Sequence, residues 1–435
     1  MGCFKMEQTD IFQSAEYRRS RTAYCWECAF EYFASLLVSG AFLATLLSYM
    51  NISDAVTGVI SSLISLSFLF QIFSVLVIKR ISNTKRFAIA FHCAGQLFFM
   101  ALYLIPFLPF AVKYKQIIVI ACTLLAYFGN YFVTSLIYQW GNSHVDPHKR
   151  ASYSAGKEMI SLLSGVVVTL VLGQAMDYFE VTNNLEGGFV FCAAAIFVFT
   201  VCDCLCLLSI KNRIVPKQKA RPVPVKMILK QTLGNRSFLN VTIAYSIWNF
   251  GRYITIGFIG TYYIKELVFS VGTVQIINIA ASMMRFAFSK PFGRYSDKRS
   301  FAAGAQLGLI LNALSFAICM FVSPGTRLLV ILYAVVNSVS QAGLVQNFQN
   351  MTYNYVDSEY FAEASAIKNS IGGICGFVAS LLAGKLLSYI QLSGNTFFGL
   401  PLYGQQVLAC ISFAVVLAAV LFTRLVIRKQ KIVVQ

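Results

Sequence analysis

Long stretches without a charged residue constrain this chain more than any other feature of its sequence. Such stretches separate Asp54 from Lys79, Arg86 from Lys113, Lys115 from Asp146, Glu158 from Asp177, Arg299 from Arg327, and Lys385 from Arg424. A helix needs roughly 20 apolar residues to cross the hydrocarbon of a bilayer. Only 12% of the residues are charged, whereas a soluble domain carries about 25%. The sequence therefore predicts an all-α membrane protein.

Twelve transmembrane helices are predicted from these stretches. The predicted spans are 24–50, 55–78, 87–110, 116–141, 155–176, 188–210, 237–263, 268–290, 301–323, 327–352, 362–385 and 402–424. The net charge of +18 does not indicate nucleic-acid binding, because 28 of the 35 Lys and Arg residues fall on one predicted side and five on the other. Such an excess marks the cytoplasmic side. Both termini are therefore expected in the cytoplasm, with the plasma membrane as the location.

The spans divide into two predicted bundles. Residues 1–23 form a cytoplasmic N-terminal segment, 24–210 an N-terminal six-helix bundle, 211–236 a cytoplasmic linker, 237–424 a C-terminal six-helix bundle, and 425–435 a cytoplasmic tail. The linker is basic and contains three prolines. It follows six spans and precedes six more, which makes it the natural division of the chain.

An internal repeat supports this division. Residues 145–178 align without a gap on residues 356–389, with 12 identities in 34 positions. The identities include the Lys157 and Lys368 pair and glycines that permit close helix contact. Because the shift crosses six spans, the two copies have the same orientation in the membrane, which is a parallel repeat. These helices are expected at the interface between the bundles, or else packed within one bundle.

A short motif resembles the major facilitator superfamily (MFS) of transporters. It reads Gly293-Arg294-Tyr295-Ser296-Asp297-Lys298-Arg299 and stands between predicted spans 8 and 9. Glycine suits an exit from a helix, and Asp297 can cap a helix start. The corresponding segment 79–86 departs from the pattern, since it lacks the glycine and has Asn83 in place of the aspartate. The resemblance implies two parallel-repeat six-helix bundles around a central cavity. It also implies a cytoplasmic gate in which Asp297 lies near Arg150.

Ionisable groups within the spans are functional candidates, because each costs at least about 2.5–3.5 kcal/mol to place in a bilayer. In the fold that is resembled, spans 1, 4, 7 and 10 line the cavity. Span 1 carries Glu27 and Glu31, which share one helix face. Two carboxylates on one face repel each other unless a proton is taken up, so they are candidates for proton coupling. The alternative is that Glu27 is interfacial and that Glu31 pairs with a cation.

The other cavity candidates are polar residues near mid-depth. Arg252 on span 7 could bind a carboxylate, a phosphate or a π-rich solute, or could neutralise Glu31. The remaining candidates hydrogen-bond a solute or simply join helices. They are Tyr127, Asn130, Tyr131, Tyr245, Asn249, Asn337 and Gln341.

Several groups are interpreted as structural. Asp203 and Arg285 are expected to pair locally or to reach the membrane surface, and His92 is expected to be a packed polar residue. No acidic or cysteine cluster surrounds the three histidines in the sequence, so no metal site is predicted. The twelve cysteines are interpreted as small packing residues.

The function predicted from these features is secondary transport of a small solute by alternating access, with proton symport. No nucleotide-binding motif is present, and no cofactor is predicted. The expected partners are the solute, protons and membrane lipid, with the chain acting as a monomer. The alternatives are a sensor or lipid-handling protein on the same fold, and a membrane-embedded transferase.

Overall fold

A computed structural model describes residues 14–71, 84–145, 150–211, 232–356, 361–397 and 399–430. The helices are α1 Ala15–Leu37, α2 Gly40–Tyr49, α3 Asp54–Ser61, α4 Leu63–Ser67, α5 Thr84–Leu102, α6 Val112–Asn142, α7 Arg150–Val181, α8 Leu185–Ser209, α9 Arg236–Ile256, α10 Ile259–Thr261, α11 Val271–Lys298, α12 Phe301–Cys319, α13 Leu329–Tyr353, α14 Phe361–Leu392 and α15 Gly404–Leu425. A π-helical turn spans Tyr262–Glu266, and short 3₁₀ turns span Ile105–Phe107, Pro324–Thr326 and Ile427–Lys429. Strands β1 Thr396–Phe397 and β2 Leu400–Pro401 form a small antiparallel hairpin.

Side-chain caps define the start of several helices. A backbone N–H of the first turn donates to the side chain of Ser14 before α1, Asn184 before α8, Asn235 before α9, Ser270 before α11 and Ser300 before α12. These residue types satisfy amide groups that have no partner inside the helix.

Nine of the described helical segments are long and apolar enough to cross a membrane, judged by length and composition. They comprise α1 with α2, then α6, α7, α8 and α11 to α15. The segment Asp54–Ser67 is apolar but shorter. The prediction of an all-α protein with many membrane-crossing helices is confirmed, while the count of twelve and the two-bundle arrangement stay predictions.

The chain folds as two compact units. Unit 1 comprises Met1–Val38 and Phe73–Pro222, and unit 2 comprises Ser39–Ile72 and Val223–Gln435. The division falls where α1 ends and α2 begins, so predicted span 1 is not one continuous helix. Gly40 takes a positive φ of 54° there, a conformation that glycine adopts without strain. The two units group residues that lie close together in space, and the predicted bundle boundaries stay predictions.

Unit 1 contains α1, α5, α6, α7 and α8. Its core includes Tyr24 of α1, Ile89 of α5, Val133 of α6 and Leu207 of α8. Because these four side chains come from four different helices, they stabilise the unit by burying apolar surface in a shared core.

Helices α5 and α6 cross at a pair of glycines. A Cβ atom added at Gly129 would lie 2.7 Å from the Cα atom of Gly95 and 2.7 Å from the carbonyl oxygen of Phe91. These neighbours are backbone atoms, which cannot rotate away. The close crossing therefore requires glycine at both positions.

Replacing Gly129 by alanine is expected to destabilise unit 1 by about 1–3 kcal/mol, as overpacking of a core does. Thermal unfolding of the purified chain in detergent measures the loss. Gly156→Ala is the matched control, because an added Cβ at Gly156 meets no described atom within 4 Å. Equal stability of the two variants would contradict the close crossing.

Unit 2 contains α2 to α4 and α9 to α15. The Ser65 hydroxyl donates to the carbonyl oxygen of Gly373 at 2.9 Å, and the Ser370 hydroxyl donates to that of Phe68 at 2.9 Å. These bonds hold α4 against α14. Glycines of α14 permit the approach, since a Cβ on Gly376 would meet the Ser65 side chain.

The internal repeat is reproduced in the helices. Helix α7 runs from residue 150 to 181 and α14 from 361 to 392, and each has 32 residues. The C-terminal ends of the two helices therefore differ by the shift that aligns the two sequence copies. Gly165 of α7 packs against Tyr32 of α1, and its repeat equivalent Gly376 of α14 packs against Tyr253 of α9. In each unit the repeated helix contacts a tyrosine through a glycine.

Candidate functional site

Three titratable side chains from three helices meet in the interior of unit 1. Helix α1 supplies Glu27, α5 supplies His92 and α8 supplies Asp203, and each is 1% exposed. One ligand atom from each residue lies within 4.8 Å of the others. The His92 Nε2 atom lies 2.6 Å from the Asp203 Oδ2 atom. We call Glu27, His92 and Asp203 the acidic cluster.

The geometry of the acidic cluster suits a proton better than a metal ion. A nitrogen and an oxygen at 2.6 Å form a hydrogen bond, which requires a proton between His92 and Asp203. Two ligand atoms on one tetrahedral zinc ion would be about 3.3 Å apart, given bonds of about 2.0–2.1 Å. The cluster nevertheless corrects the expectation that no acidic group surrounds a histidine. Asp203 was expected to pair locally or to reach the membrane surface, but it is buried and its partner is on another helix.

Glu27 continues the acidic cluster toward α7. The Cys28 thiol donates to Glu27 Oε2 at 3.1 Å. The Lys157 ammonium donates to Cys28 Sγ and to the Tyr24 hydroxyl, each at 3.2 Å, and lies 4.4 Å from the centre of the Tyr24 ring. Glu27 is therefore buried rather than interfacial. A positive group is within two hydrogen bonds of it, which offsets part of the cost of burying a carboxylate.

Glu31 lies one turn beyond Glu27 on the same helix and is only partly buried. Among the described residues it forms no hydrogen bond or ion pair. A carboxylate that lies in the middle of a helix and has no hydrogen-bonding or ion-pair partner is chemically suited to exchange a proton with water. Glu31 therefore stays a candidate beside Glu27.

Unit 2 contains a guanidinium with aromatic neighbours. The Arg252 Cζ atom lies 4.9 Å from the centre of the Trp248 ring and 5.1 Å from that of Tyr253. The Arg252 Nε atom is buried and donates to no acceptor in the described part of the chain. No carboxylate among the described residues forms an ion pair with Arg252. The guanidinium therefore contacts two aromatic ring faces, and its N–H groups, which lie in its plane, remain available to donate hydrogen bonds.

A chain of amides extends from the same tryptophan. The Trp248 Nε1 atom donates to Asn312 Oδ1 at 3.0 Å, and Asn312 Nδ2 donates to Asn337 Oδ1 at 2.8 Å. An indole N–H can only donate, so it fixes which way the Asn312 amide points. Asn312 in turn fixes Asn337, whose NH₂ group points away from the chain of bonds.

Two further groups on α13 have unused polar atoms. The Tyr333 hydroxyl and the Gln341 Nε2 atom are buried and have no hydrogen-bond partner among the described residues. Tyr333, Asn337 and Gln341 follow one another at intervals of four residues, so they share one face of α13.

Lys368 of α14 is the repeat equivalent of Lys157 and is 1% exposed. Its ammonium donates to Phe348 O at 2.9 Å, Gln349 Oε1 at 3.2 Å and Thr352 Oγ1 at 3.1 Å. It also lies 5.1 Å from the centre of the Tyr245 ring. All three ammonium donors are therefore occupied by oxygens of unit 2.

Of the other predicted cavity residues, Asn130 joins two helices, whereas Asn249 and Tyr131 contact residues of their own helices. Gln96 Nε2 donates to Asn130 Oδ1 at 3.4 Å, which links α5 to α6. Asn249 Nδ2 donates to the carbonyl oxygen of Tyr245 at 2.9 Å within α9. The ring of Tyr131 packs near that of Tyr127 within α6, tilted by 37° and with 5.9 Å between the ring centres.

The motif at 293–299 is not a loop. Helix α11 continues through Gly293 and ends at Lys298, so the glycine does not end the helix. Ser300, rather than Asp297, caps the following helix, because its hydroxyl accepts from the amide of Ala303 at 3.1 Å. Arg294, Asp297 and Lys298 are exposed.

Two predicted parts of the gate lie outside the described residues. They are the side chain of Arg150 and residues 79–83 of the first-half segment. The gate therefore stays a prediction that follows from the resemblance.

Solved structures of similar fold include two transporters and a homolog of a third. A variant of the nucleoside transporter NupG has a TM-score of 0.68 at 15% identity, covering 93% of this chain and 99% of that one. A bacterial homolog of the human lysosomal transporter Spinster, inward-facing and unoccupied, has a TM-score of 0.66 at 14% identity, covering 96% and 97%. A POT family transporter in complex with 5-aminolevulinic acid has a TM-score of 0.62 at 14% identity, covering 95% of both chains.

The chain has the fold of the MFS transporters. The similarity spans nearly the whole of each chain, so it applies to the complete architecture and not to one motif. Identities of 14–15% establish the fold alone. No protein-family model and no curated protein sequence matches this chain.

The residues that sequence analysis missed share one signal. His92 and Asp203 were assigned structural roles, and Asn312 and Tyr333 were not singled out. Each is a polar group inside a predicted apolar span, which is unusual enough to indicate a role. Which of them converge depends on helix packing, and that is visible only in the fold.

Proposed function

We propose that this chain is a secondary transporter that moves a small solute across the plasma membrane by alternating access, coupled to protons. Two of the three similar structures are a nucleoside transporter and a POT family transporter in complex with 5-aminolevulinic acid, and the third is a bacterial homolog of a lysosomal transporter. Nine apolar helices among the described residues support a multi-pass membrane protein. The chain would work as a monomer with both termini in the cytoplasm.

The observation that carries the proposal is the acidic cluster. Two carboxylates and one imidazole, all buried, can share one or two protons, and each change of protonation alters the charge of the unit interior. An added charge in a low-dielectric interior is costly. Loading and releasing a proton at Glu27 would therefore bias the conformational equilibrium, as a ligand with different affinity for two states does. Glu31 is the second candidate carrier.

A transport screen in proteoliposomes tests the proposal. Vesicles with an alkaline interior are offered nucleosides, dipeptides, 5-aminolevulinic acid and simple organic acids. We expect at least one solute to accumulate unaltered only when the pH gradient is present, with empty vesicles and a protonophore as controls.

Two other results would contradict the proposal. If no solute accumulates, a sensor or lipid-handling role on the same fold is favoured. If a solute is chemically altered by the purified chain, a membrane transferase is favoured.

A further inference from the structure

We infer that the solute is a small organic monoanion, bound through its carboxylate by Arg252 in unit 2. The inference rests on the proposed transport function and adds the chemical class of the substrate. It is drawn from the polar groups of unit 2 that have no partner.

Three side chains of unit 2, on α9 and α13, have buried polar atoms that can donate and that have no partner among the described residues. Arg252 offers N–H groups only, Gln341 leaves an NH₂ nitrogen unpaired, and the Tyr333 hydroxyl has no partner in the described part of the chain. The hydrogen bonds that run from Trp248 through Asn312 use only the oxygen of the Asn337 amide, so its NH₂ group also remains available as a donor. Buried donors without acceptors are rare in native proteins. A ligand rich in acceptor oxygens would satisfy them.

The charge of unit 2 favours an anion. None of its described buried residues is acidic, whereas unit 1 buries Glu27 and Asp203. Lys368 cannot serve the ligand, because its three donors are occupied by neutral oxygens. Arg252 forms no ion pair among the described residues, and its single charge matches a monoanion better than a phosphate dianion.

The orientation of the guanidinium favours a carboxylate. Trp248 and Tyr253 contact Arg252 through their ring faces. The N–H donors lie in the plane of the guanidinium, and their fork matches the two oxygens of a carboxylate.

Fluorescence of Trp248 gives a direct binding test on the full chain in detergent. The chain has three tryptophans, so Trp26→Phe with Trp140→Phe leaves Trp248 as the sole reporter. The probes are short, branched and aromatic carboxylates, each paired with its neutral amide, for example benzoate with benzamide, plus inorganic phosphate. We expect saturable quenching and a raised Tm with at least one carboxylate, and neither effect with its amide or with phosphate.

Substitutions assign the effect to Arg252. Arg252→Gln is expected to weaken carboxylate binding by at least about tenfold. Arg252→Lys should retain part of the affinity, because it keeps the charge and loses the fork. Arg285→Gln, another helical arginine of unit 2, is the matched control and should bind like the parent.

The inference is overturned if no carboxylate binds, if amides bind as well as their acids, or if Arg252→Gln binds normally. Failure of the proposed function would look different. Carboxylate binding without gradient-driven uptake would leave the inference standing and remove the transport proposal. Gradient-driven uptake that is unchanged in Arg252→Gln would support the transport proposal and remove the inference.

Discussion

Glu27→Gln is expected to abolish accumulation driven by a pH gradient while solute exchange continues. The substitution keeps the shape of the side chain and its acceptor for the Cys28 thiol, but it removes the proton that Glu27 can carry. Uptake against a gradient should fall by roughly tenfold or more. Counterflow of labelled solute between equal pools needs no net proton movement and should persist.

Two matched variants sharpen this result. Glu186→Gln makes the same chemical change at an exposed position in the first turn of α8 and should leave uptake unchanged. Glu31→Gln tests the second candidate one turn away from Glu27. Full gradient-driven uptake in Glu27→Gln would remove Glu27 from the coupling mechanism, and a selective loss in Glu31→Gln would transfer the role to Glu31.

His92→Leu is expected to destabilise the protein by about 3–5 kcal/mol, the usual cost of breaking a buried ion pair by removing one partner. His92 and Asp203 are each 1% exposed, and the Asp203 Oδ1 atom already has no donor among the described residues. Without the imidazole, Asp203 would have no described hydrogen-bond partner. Thermal or denaturant unfolding in detergent, followed by the fluorescence of the tryptophans, measures the loss.

A double variant separates pairing from simple loss of packing. His92→Leu combined with Asp203→Leu removes both polar groups, and apolar replacement of a buried pair is often neutral. The double variant should therefore be more stable than His92→Leu alone. If the two single losses simply add, the side chains are not coupled, and the hydrogen bond would not be the reason for their burial.

The helices were predictable because the bilayer requires long apolar stretches, and those are visible in any sequence. The repeat was predictable because its two copies share 12 of 34 residues, among them the Lys157 and Lys368 pair. The break between α1 and α2 was missed, although Ser39-Gly40 is a sequence that permits one. A break in a helix cannot be detected from apolar composition when the residues on both sides of it are equally hydrophobic.

The candidate site was predicted only in part. Glu27 and Arg252 were found because a charge in an apolar span is conspicuous. Their surroundings were not found, since His92 and Asp203 come from helices that sequence spacing does not bring together. The same holds for Asn312, whose orientation depends on an indole N–H from another helix.

Proton movement that accompanies solute entry is the most direct measurement of the central claim. Proteoliposomes filled with a pH-sensitive dye are given a solute from the screen without an imposed gradient. The account predicts that the interior acidifies as the solute enters, and that Glu27→Gln vesicles show no acidification. Solute entry with no change of internal pH in the parent protein would contradict it.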